Sequence, residues 1–371
     1  MKHIVVTGGD GFIGRNLRIR LAELGHSAVA SVTRHTEADA LREALGQADF
    51  VFHLAGVNRP TDLAEFERSN VGFTKSICAV LATTGRRTAI AYTSSTQSAL
   101  DNPYGRSKRA AEQVLDEYGR VTGGPVFMFR LPNVFGKWSR PNYNSVVATF
   151  CHNITRGLPI TVHDPNAVLR LVYVDDVVEA MVRLLDGATS GIIGVEVKPT
   201  YDTTVGEVAR VLQGFAESRR TLTMPPVGTG LTRALYATYL SYLDPSAFAY
   251  DVKRQADSRG VFVELLKTSD SGQFSYFTAH PGITRGEHYH HTKTEKFIVL
   301  KGKARFGFRH VVTNERYELT VDGGAARIVE TVPGWAHNIT NIGGEELVVM
   351  LWANEVFDPE RPDTIVSKVN P

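Results

Sequence analysis

The stretch Gly282–Gly302, GITRGEHYHHTKTEKFIVLKG, sets tighter conditions on folding than any other part of the chain. In an extended strand residues i and i+2 share a face, so His288 and His290 present two imidazoles to one point while Tyr289 and His291 face away. Thr292-Lys293-Thr294 reads as a polar turn that reverses the chain and returns Glu295 at the head of the apolar run Phe297–Leu300. Two nitrogens and a carboxylate oxygen on neighbouring strands make a partial metal shell. A fourth ligand follows the turn Pro333-Gly334, where His337 opens another β-rich run. The alternative is a solvated, histidine-rich hairpin. Three imidazoles and one carboxylate between glycines suit a metal with open positions better.

At 371 residues the chain is too long for most single cores and suggests about two domains. Its formal charge of +2 points to neither nucleic acid nor an anionic membrane as partner. Cys78 and Cys151, with no CxxC spacing, argue against a disulfide framework and fit a reducing compartment. Met1 runs into the strand Ile4-Val5-Val6 without the apolar core of a signal peptide, and no apolar run approaches the length of a membrane span. A soluble, cytoplasmic protein is expected.

The N-terminal half begins with a strand, His3 to Thr7, followed by Gly8-Gly9-Asp10-Gly11-Phe12-Ile13-Gly14 and a helix through Leu24. Glycines there permit a tight turn, and the helix N-terminus offers amide donors to a pyrophosphate. A second strand, Ala28 to Thr33, ends in Arg34 and His35, where an NAD site usually carries an acidic residue. Arg34 and Arg15 suit a 2′-phosphate instead, which favours NADP over NAD; the alternative is two solvated arginines. Asp49 to Leu54 reads as a buried parallel strand ending in Ala55-Gly56, and Ala89 to Thr93 as another, ending in Ser94-Ser95-Thr96. Alternating strands and helices predict a doubly wound α/β sheet with ligands beyond the carboxyl ends of its strands. Tyr104 and Lys108, at i and i+4, share one helix face. A nearby ammonium favours the phenolate and would lower the tyrosine pKa, giving a proton donor near neutral pH.

From about Thr221 the pattern changes. Met224 to Gly230 reads as a loop, Leu231 to Leu243 as a packing helix, and Asp244-Pro245-Ser246 as its break. The boundary is placed there, giving domains 1–243 and 244–371; beyond it, short strands between Gly, Asn and Pro turns predict an all-β domain.

Two resemblances follow from these residues. Thr7-Gly8-x-x-Gly11-x-x-Gly14, His53-Leu54-Ala55-Gly56, Asn70, Ser95, Tyr104 and Lys108, with Arg130 to Gly136 and Arg170 to Asp176, resemble the extended short-chain dehydrogenase/reductase family. That resemblance implies a Rossmann domain and a nicotinamide cofactor held by Gly8, Gly11, Phe12, Ile13, Gly14, Leu54, Ala55 and Gly56. It further implies Tyr104 as acid, Lys108 on the ribose and the tyrosine, and Ser95 on the substrate carbonyl, with Ser94 or Thr96 as neighbouring choices. Asn133 and Arg170 would hold a nucleotide-sugar, Arg170 by pairing with its diphosphate. The spacing Gly-x5-His-x-His-x4-Glu-x6-Gly from Gly282, and Gly-x2-His-x3-Asn at Gly334, His337 and Asn341, resembles the two motifs of the cupin family. It implies a double-sheet β-barrel over the last third of the chain, with one divalent metal inside.

The two modules together are similar to bifunctional capsule-biosynthesis enzymes. The likeness implies that a 4-keto-6-deoxy UDP-N-acetylhexosamine is epimerised at C3 in the cupin and reduced at C4 with NADPH, towards UDP-N-acetyl-L-fucosamine. Zinc is the favoured metal because no step changes its redox state. A homodimer is the expected assembly, although no residue fixes it. Two other readings stay open: a plain NADPH-dependent sugar reductase whose cupin only binds or dimerises, and a fusion with an iron-dependent cupin oxygenase.

Overall fold

Ile4-Val5-Val6-Thr7 is a run without alternation, and all four residues are buried, as in a parallel strand covered on both faces. The structure is a computed structural model and describes residues 2–33, 35–187, 191–257, 260–263, 266, 272–355 and 360–371. It divides into two compact units: Met1–Ser145 with Val168–Thr203, and Val146–Ala167 with Thr204–Pro371.

In the first unit, β1 (Ile4–Thr7), α1 (Phe12–Glu23), β2 (Val29–Val32), α2 (Ala38–Gln47) and β3 (Phe50–His53) alternate. The short α3 (Ala64–Phe66) passes through a π-helical stretch, Glu67–Gly72, into α4 (Phe73–Thr83). Then come β4 (Ala89–Ser95), α5 (Pro103–Thr122), β5 (Val126–Leu131) and β6 (Asn133–Phe135). After α6 (Val146–Thr155), which belongs to the second unit, follow β7 (Val168–Tyr173), α7 (Val174–Val182), β8 (Ile192–Gly194) and β9 (Thr200–Thr204). Six strands form a parallel sheet in the order β2-β1-β3-β4-β5-β8, and β6-β7-β9 form a smaller one. This is the doubly wound α/β arrangement that the alternation predicts. Leu45, Ile77, Leu81, Leu115 and Val126 lie in one hydrophobic cluster beneath the sheet.

Helix α5 starts where its chemistry requires. Asn102 accepts a hydrogen bond from the Gly105 amide at 2.8 Å and Pro103 fills the first turn, where a missing N–H costs nothing. The helix ends at Gly123 in a left-handed conformation.

The second unit contains α6, α8 (Val205–Thr221) and α9 (Gly230–Leu240), so its helices come from sequence on both sides of the β7 excursion. Its strands are β10 (Ala249–Asp251), β11 (Arg254–Asp257), β12 (Gly260–Val263), β13 (Gln273–Ala279), β14 (Thr284–Tyr289), β15 (Glu295–Lys301), β16 (Lys303–His310), β17 (Arg316–Asp322), β18 (Arg327–Glu330), β19 (Trp335–Asn341), β20 (Leu347–Ala353) and β21 (Ile365–Val366). Two five-stranded sheets, β10-β18-β15-β20-β13 and β17-β16-β19-β14-β21, carry most of them, and β11-β12 form a separate hairpin. Among the described residues no ladder joins the two large sheets into a closed ring. Phe248, fully buried, meets Trp335 and Phe308 edge-on at centroid distances of 5.0 and 5.4 Å.

A charged cluster fastens α8 to this β structure. Lys296 donates to Glu330 and, at 3.2 Å, to the Tyr250 hydroxyl. Arg219 donates to the same Glu330 and lies 4.5 Å from the Tyr250 ring centroid. One buried carboxylate thus faces two basic side chains, and burial with the nearby Arg219 guanidinium pushes the Lys296 pKa well down. Removing one partner of such a pair leaves uncompensated charge, which typically costs about 3–5 kcal/mol. Glu330→Ala should lower stability by that order in chemical denaturation, whereas replacing Arg219, Lys296 and Glu330 together by apolar residues of similar volume should cost clearly less.

Candidate active sites

The turn between β1 and α1 holds Gly8 and Gly11, the N-cap, and Phe12, Ile13, Gly14 and Arg15 form the first turn of α1. A Cβ on Gly14 would fall 2.2 Å from the Gly8 carbonyl oxygen, and one on Gly8 would fall 2.8 Å from the Ala55 nitrogen. Leu54, Ala55 and Gly56 therefore lie against the loop in a cradle that side chains would fill, which fits a dinucleotide. Arg15 forms no ion pair with any described residue. Arg34, its expected partner at a 2′-phosphate, lies outside the described residues.

His53 braces the cradle. The Thr74 hydroxyl donates to the Asn70 carbonyl at 2.6 Å, so His53 Nε2–H donates to Thr74 Oγ1, and His53 Nδ1 accepts from the Thr7 hydroxyl, each at 2.8 Å. Burial, helped by the Lys108 ammonium, pushes the His53 pKa down to about 3, so the ring stays neutral.

Ser95 ends β4, Tyr104 lies in the first turn of α5, and Lys108 lies one turn on. The close approach depends on Gly105, where a Cβ would meet the Gln97 carbonyl oxygen at 2.2 Å. The Ser95 hydroxyl is near enough to Tyr104 to favour its phenolate, while the Ser94 hydroxyl donates to Glu112 at 2.5 Å. Asn70, in the π-helical stretch, donates to the Ser107 hydroxyl at 2.9 Å, which in turn donates to the Tyr104 carbonyl at 2.8 Å. The expected lowering of the tyrosine pKa is not what this geometry gives. Burial raises Tyr104, and the Ser95 hydroxyl offsets only part of that. Lys108 donates to the Thr93 carbonyl at 2.8 Å and the Tyr92 hydroxyl at 3.3 Å, and stands 6.0 Å from the Tyr104 ring centroid. Its hydrogen bonds go to Thr93 and Tyr92. Burial pulls Lys108 down to about 8, against a raising effect of Glu112. The sequence reading had no role for Glu112; its signal was the buried i+4 spacing from Lys108.

Asn133 and Arg170 come together on β6 and β7: the Asn133 amide donates to the Arg170 carbonyl at 3.3 Å. The exposed Arg170 guanidinium lies 3.9 Å from Asp202 and remains open to solvent.

In the second unit His288 on β14 stands directly opposite His337 on β19. One ligand atom from each of His288, His290, Glu295 and His337 lies within 4.8 Å of the others. Burial, with the neighbouring imidazoles, pushes His288 down to about 3 and also lowers His337. Burial alone would raise the Glu295 carboxyl, but the imidazoles facing it hold it well below the usual range. Lys293 binds its other oxygen at 3.1 Å. His290 Nδ1 contacts the Asp363 carbonyl, which can only accept, so that nitrogen carries the proton. His290 Nε2 lies 3.3 Å from Glu295 Oε2. Three imidazoles and one carboxylate whose ligand atoms converge are a donor set that fits a divalent cation. Sequence reasoning missed Asp363, which stands 73 residues from His290 with no motif around it.

A glycine-loop parallel sheet and a buried His3Glu cluster define a dinucleotide-binding α/β protein with a metal-competent β domain. The chain belongs to the NAD dependent epimerase/dehydratase family, whose model matches residues 4–195, and the Polysaccharide biosynthesis C-terminal domain matches residues 255–365. It is 55% identical over 366 residues to a Pseudomonas aeruginosa protein named UDP-2-acetamido-2,6-beta-L-arabino-hexul-4-ose reductase, covering 99% of this chain and 98% of that one. The crystal structure of the capsular polysaccharide assembling protein CapF from Staphylococcus aureus is similar over 99% of this chain and 100% of that one, at 42% identity and a TM-score of 0.68. CapF with the inhibitor 3-isopropenyl-tropolone is similar at 39% identity and a TM-score of 0.63, covering 98% and 99% of the two chains. No helix of the described residues is long and apolar enough to cross a membrane.

Glu112 offers a direct test of this electrostatic arrangement. Its negative charge stabilises the Lys108 ammonium, so Glu112→Gln should move the Lys108 pKa further below its value of about 8. An NMR titration of isotope-labelled lysine reads the shift; an unchanged midpoint would remove Glu112 from the electrostatics of Lys108.

Proposed function

We propose that the chain is a bifunctional nucleotide-sugar enzyme. The second unit epimerises C3 of a 4-keto-6-deoxy UDP-N-acetylhexosamine, and the first then reduces the C4 ketone to an alcohol of the UDP-N-acetyl-6-deoxy-L-talosamine type, towards UDP-N-acetyl-L-fucosamine. The observation that carries the reading is the coexistence on one chain of Ser95-Tyr104-Lys108 beside a glycine cradle and a buried His3Glu cluster that ketone reduction by a tyrosine does not need. The full-length kinship to a protein named as a UDP-sugar 4-keto reductase supports it. A homodimer in the cytoplasm remains the proposed assembly and place.

When bound, NADPH supplies the hydride for C4, and a divalent cation, zinc by preference, supplies Lewis-acid stabilisation of charge on the C4 oxygen while C3 loses its proton. His288, His290, Glu295 and His337 would hold the cation. Gly8, Gly11, Phe12, Ile13, Gly14, Leu54, Ala55 and Gly56 would seat the dinucleotide, and Arg15 and Arg34 its 2′-phosphate. Ser95 donates a hydrogen bond to the C4 carbonyl oxygen, and Tyr104 delivers the proton that completes the alcohol. Lys108 holds the ribose and, once redirected from Thr93, favours proton loss from Tyr104. Asn133 and Arg170 orient the UDP portion, the guanidinium by forked bonds to the diphosphate.

Two variants separate the steps. Tyr104→Phe should lose reduction by about 100-fold or more, the scale of general acid catalysis, yet exchange the C3 hydrogen for deuterium in heavy water without NADPH. His290→Ala should lose metal and exchange together while reducing substrate supplied with C3 already inverted. Mass spectrometry of the sugar nucleotide and NADPH absorbance report the two activities. If the metal-loaded wild type incorporates no deuterium at C3, the epimerase assignment fails and a reductase with a non-catalytic β domain stands. For the cofactor, Arg15→Ala with Arg34→Ala should raise KM for NADPH far more than for NADH; an equal effect on both would separate these arginines from the 2′-phosphate.

A further inference from the structure

Four donors converge on the carboxylate of Asp363. The His291 amide reaches Oδ1 at 2.8 Å, and the Thr292 and Lys293 amides reach Oδ2 at 2.7 Å each, joined by the Thr292 hydroxyl at 3.0 Å. These donors are the turn that links the histidine pair to Glu295. The carbonyl of the same Asp363 takes the His290 Nδ1–H. One residue therefore fixes both the backbone leaving His290 and the tautomer of its ring.

The chain beyond Asp363 secures the other histidine. Ile365 and Val366 pair with Tyr289 and His288. The Ser367 amide donates to the Glu287 carbonyl at 2.8 Å and the Val369 amide to Glu287 Oε2 at 2.7 Å. Glu287 Oε1 accepts from Asn338 at 2.7 Å. Glu287 has φ of +61°, a left-handed conformation that costs a residue with a Cβ, and the β14–β19 register shifts between Gly286 and His288. That bulge aims His288 at His337, and the terminal segment holds it in place. Arg309 anchors the segment in turn, donating to Ser367 Oγ at 2.8 Å and to the Lys368 carbonyl at 3.0 Å.

We propose that the segment Asp363–Val369 pre-sets His288 and His290 for a cation, with Asp363 as its main positioning residue, touching the metal nowhere. The proposal rests on the reading of His288, His290, Glu295 and His337 as a metal centre. Residues that orient metal ligands are commonly worth about 10–100-fold in metal affinity.

The test uses the full chain and zinc alone. Zinc affinity is measured by competition with a chromophoric chelator, and folding of the metal-free protein by circular dichroism and thermal melting. Asp363→Asn places an amide N–H2 among donors that need an acceptor, and zinc affinity should fall by about 10–100-fold with the strand signal retained. A merely structural role would lower the melting temperature of the metal-free protein and leave zinc affinity at its wild-type value; that result overturns the proposal. Should Asp363→Asn not fold, Glu287→Gln reads the same segment through His288 with the 291–293 turn intact. A several-fold loss of zinc affinity there supports the proposal and a wild-type affinity overturns it. If the wild-type chain itself binds no zinc, the metal-centre reading falls and the proposal with it, whereas normal wild-type binding with unaffected variants removes the proposal alone.

Discussion

Strand β15 carries two adjacent charges, Glu295 and Lys296, into the interior, and a strand sends neighbours to opposite faces. Each charge must be compensated on its own side, because a buried ion without a partner costs more than most single interactions return. On one side Glu295 meets Lys293, His290 and His337. On the other Lys296 meets Glu330, Tyr250 and, through Glu330, Arg219 of α8. A slip of one residue would send each to the opposite face, away from these partners. The register of β15 against β18 and β20 is therefore specified by electrostatics as well as by the apolar run that follows it.

The first unit uses the same logic with less charge. Lys108 is buried, yet its ammonium finds the Thr93 carbonyl, the Tyr92 hydroxyl and the field of Glu112. Glu112 is itself held by Ser94 and by the Arg130 guanidinium at 2.7 Å. That chain of contacts ties α5 to the ends of β4 and β5, the edge where Ser95 stands. Burial raises Tyr104, so the phenol holds its proton more firmly there.

What was legible in the sequence is what local spacing encodes. The glycine loop between strand and helix, Tyr104 with Lys108, and the alternation of His288 and His290 each lie within one turn or one strand, so periodicity alone brings their side chains together. The alternation of strands and helices likewise declares the parallel sheet. Other features depend on partners far along the chain. Asp363 serves a turn some 70 residues earlier. The hydroxyl–imidazole chain of Thr7, His53 and Thr74 joins three elements through residues that each look like ordinary strand or helix content. The pairing of β6 with β7 is hidden because α6 intervenes and belongs to the other unit. Helices α8 and α9 pack in the second unit although nothing in their composition distinguishes them from helices of the first. The direction of the Tyr104 shift was out of reach for a different reason: it is a competition between burial and charge, and only distances decide it.

The cluster of His288, His290, Glu295 and His337 can be weighed against a purely structural role by counting unsatisfied groups. A buried acceptor without a donor costs about 1–3 kcal/mol. Lys293 and one protonated imidazole would satisfy Glu295, leaving two further rings, whose protonation burial disfavours, with no structural task at that carboxylate. Apolar side chains of similar volume would relieve that cost and pack the sheet interior better. Retaining three imidazoles around one ionised carboxylate makes physical sense when their lone pairs share a cation, which turns the convergent acceptors from a cost into a coordination shell.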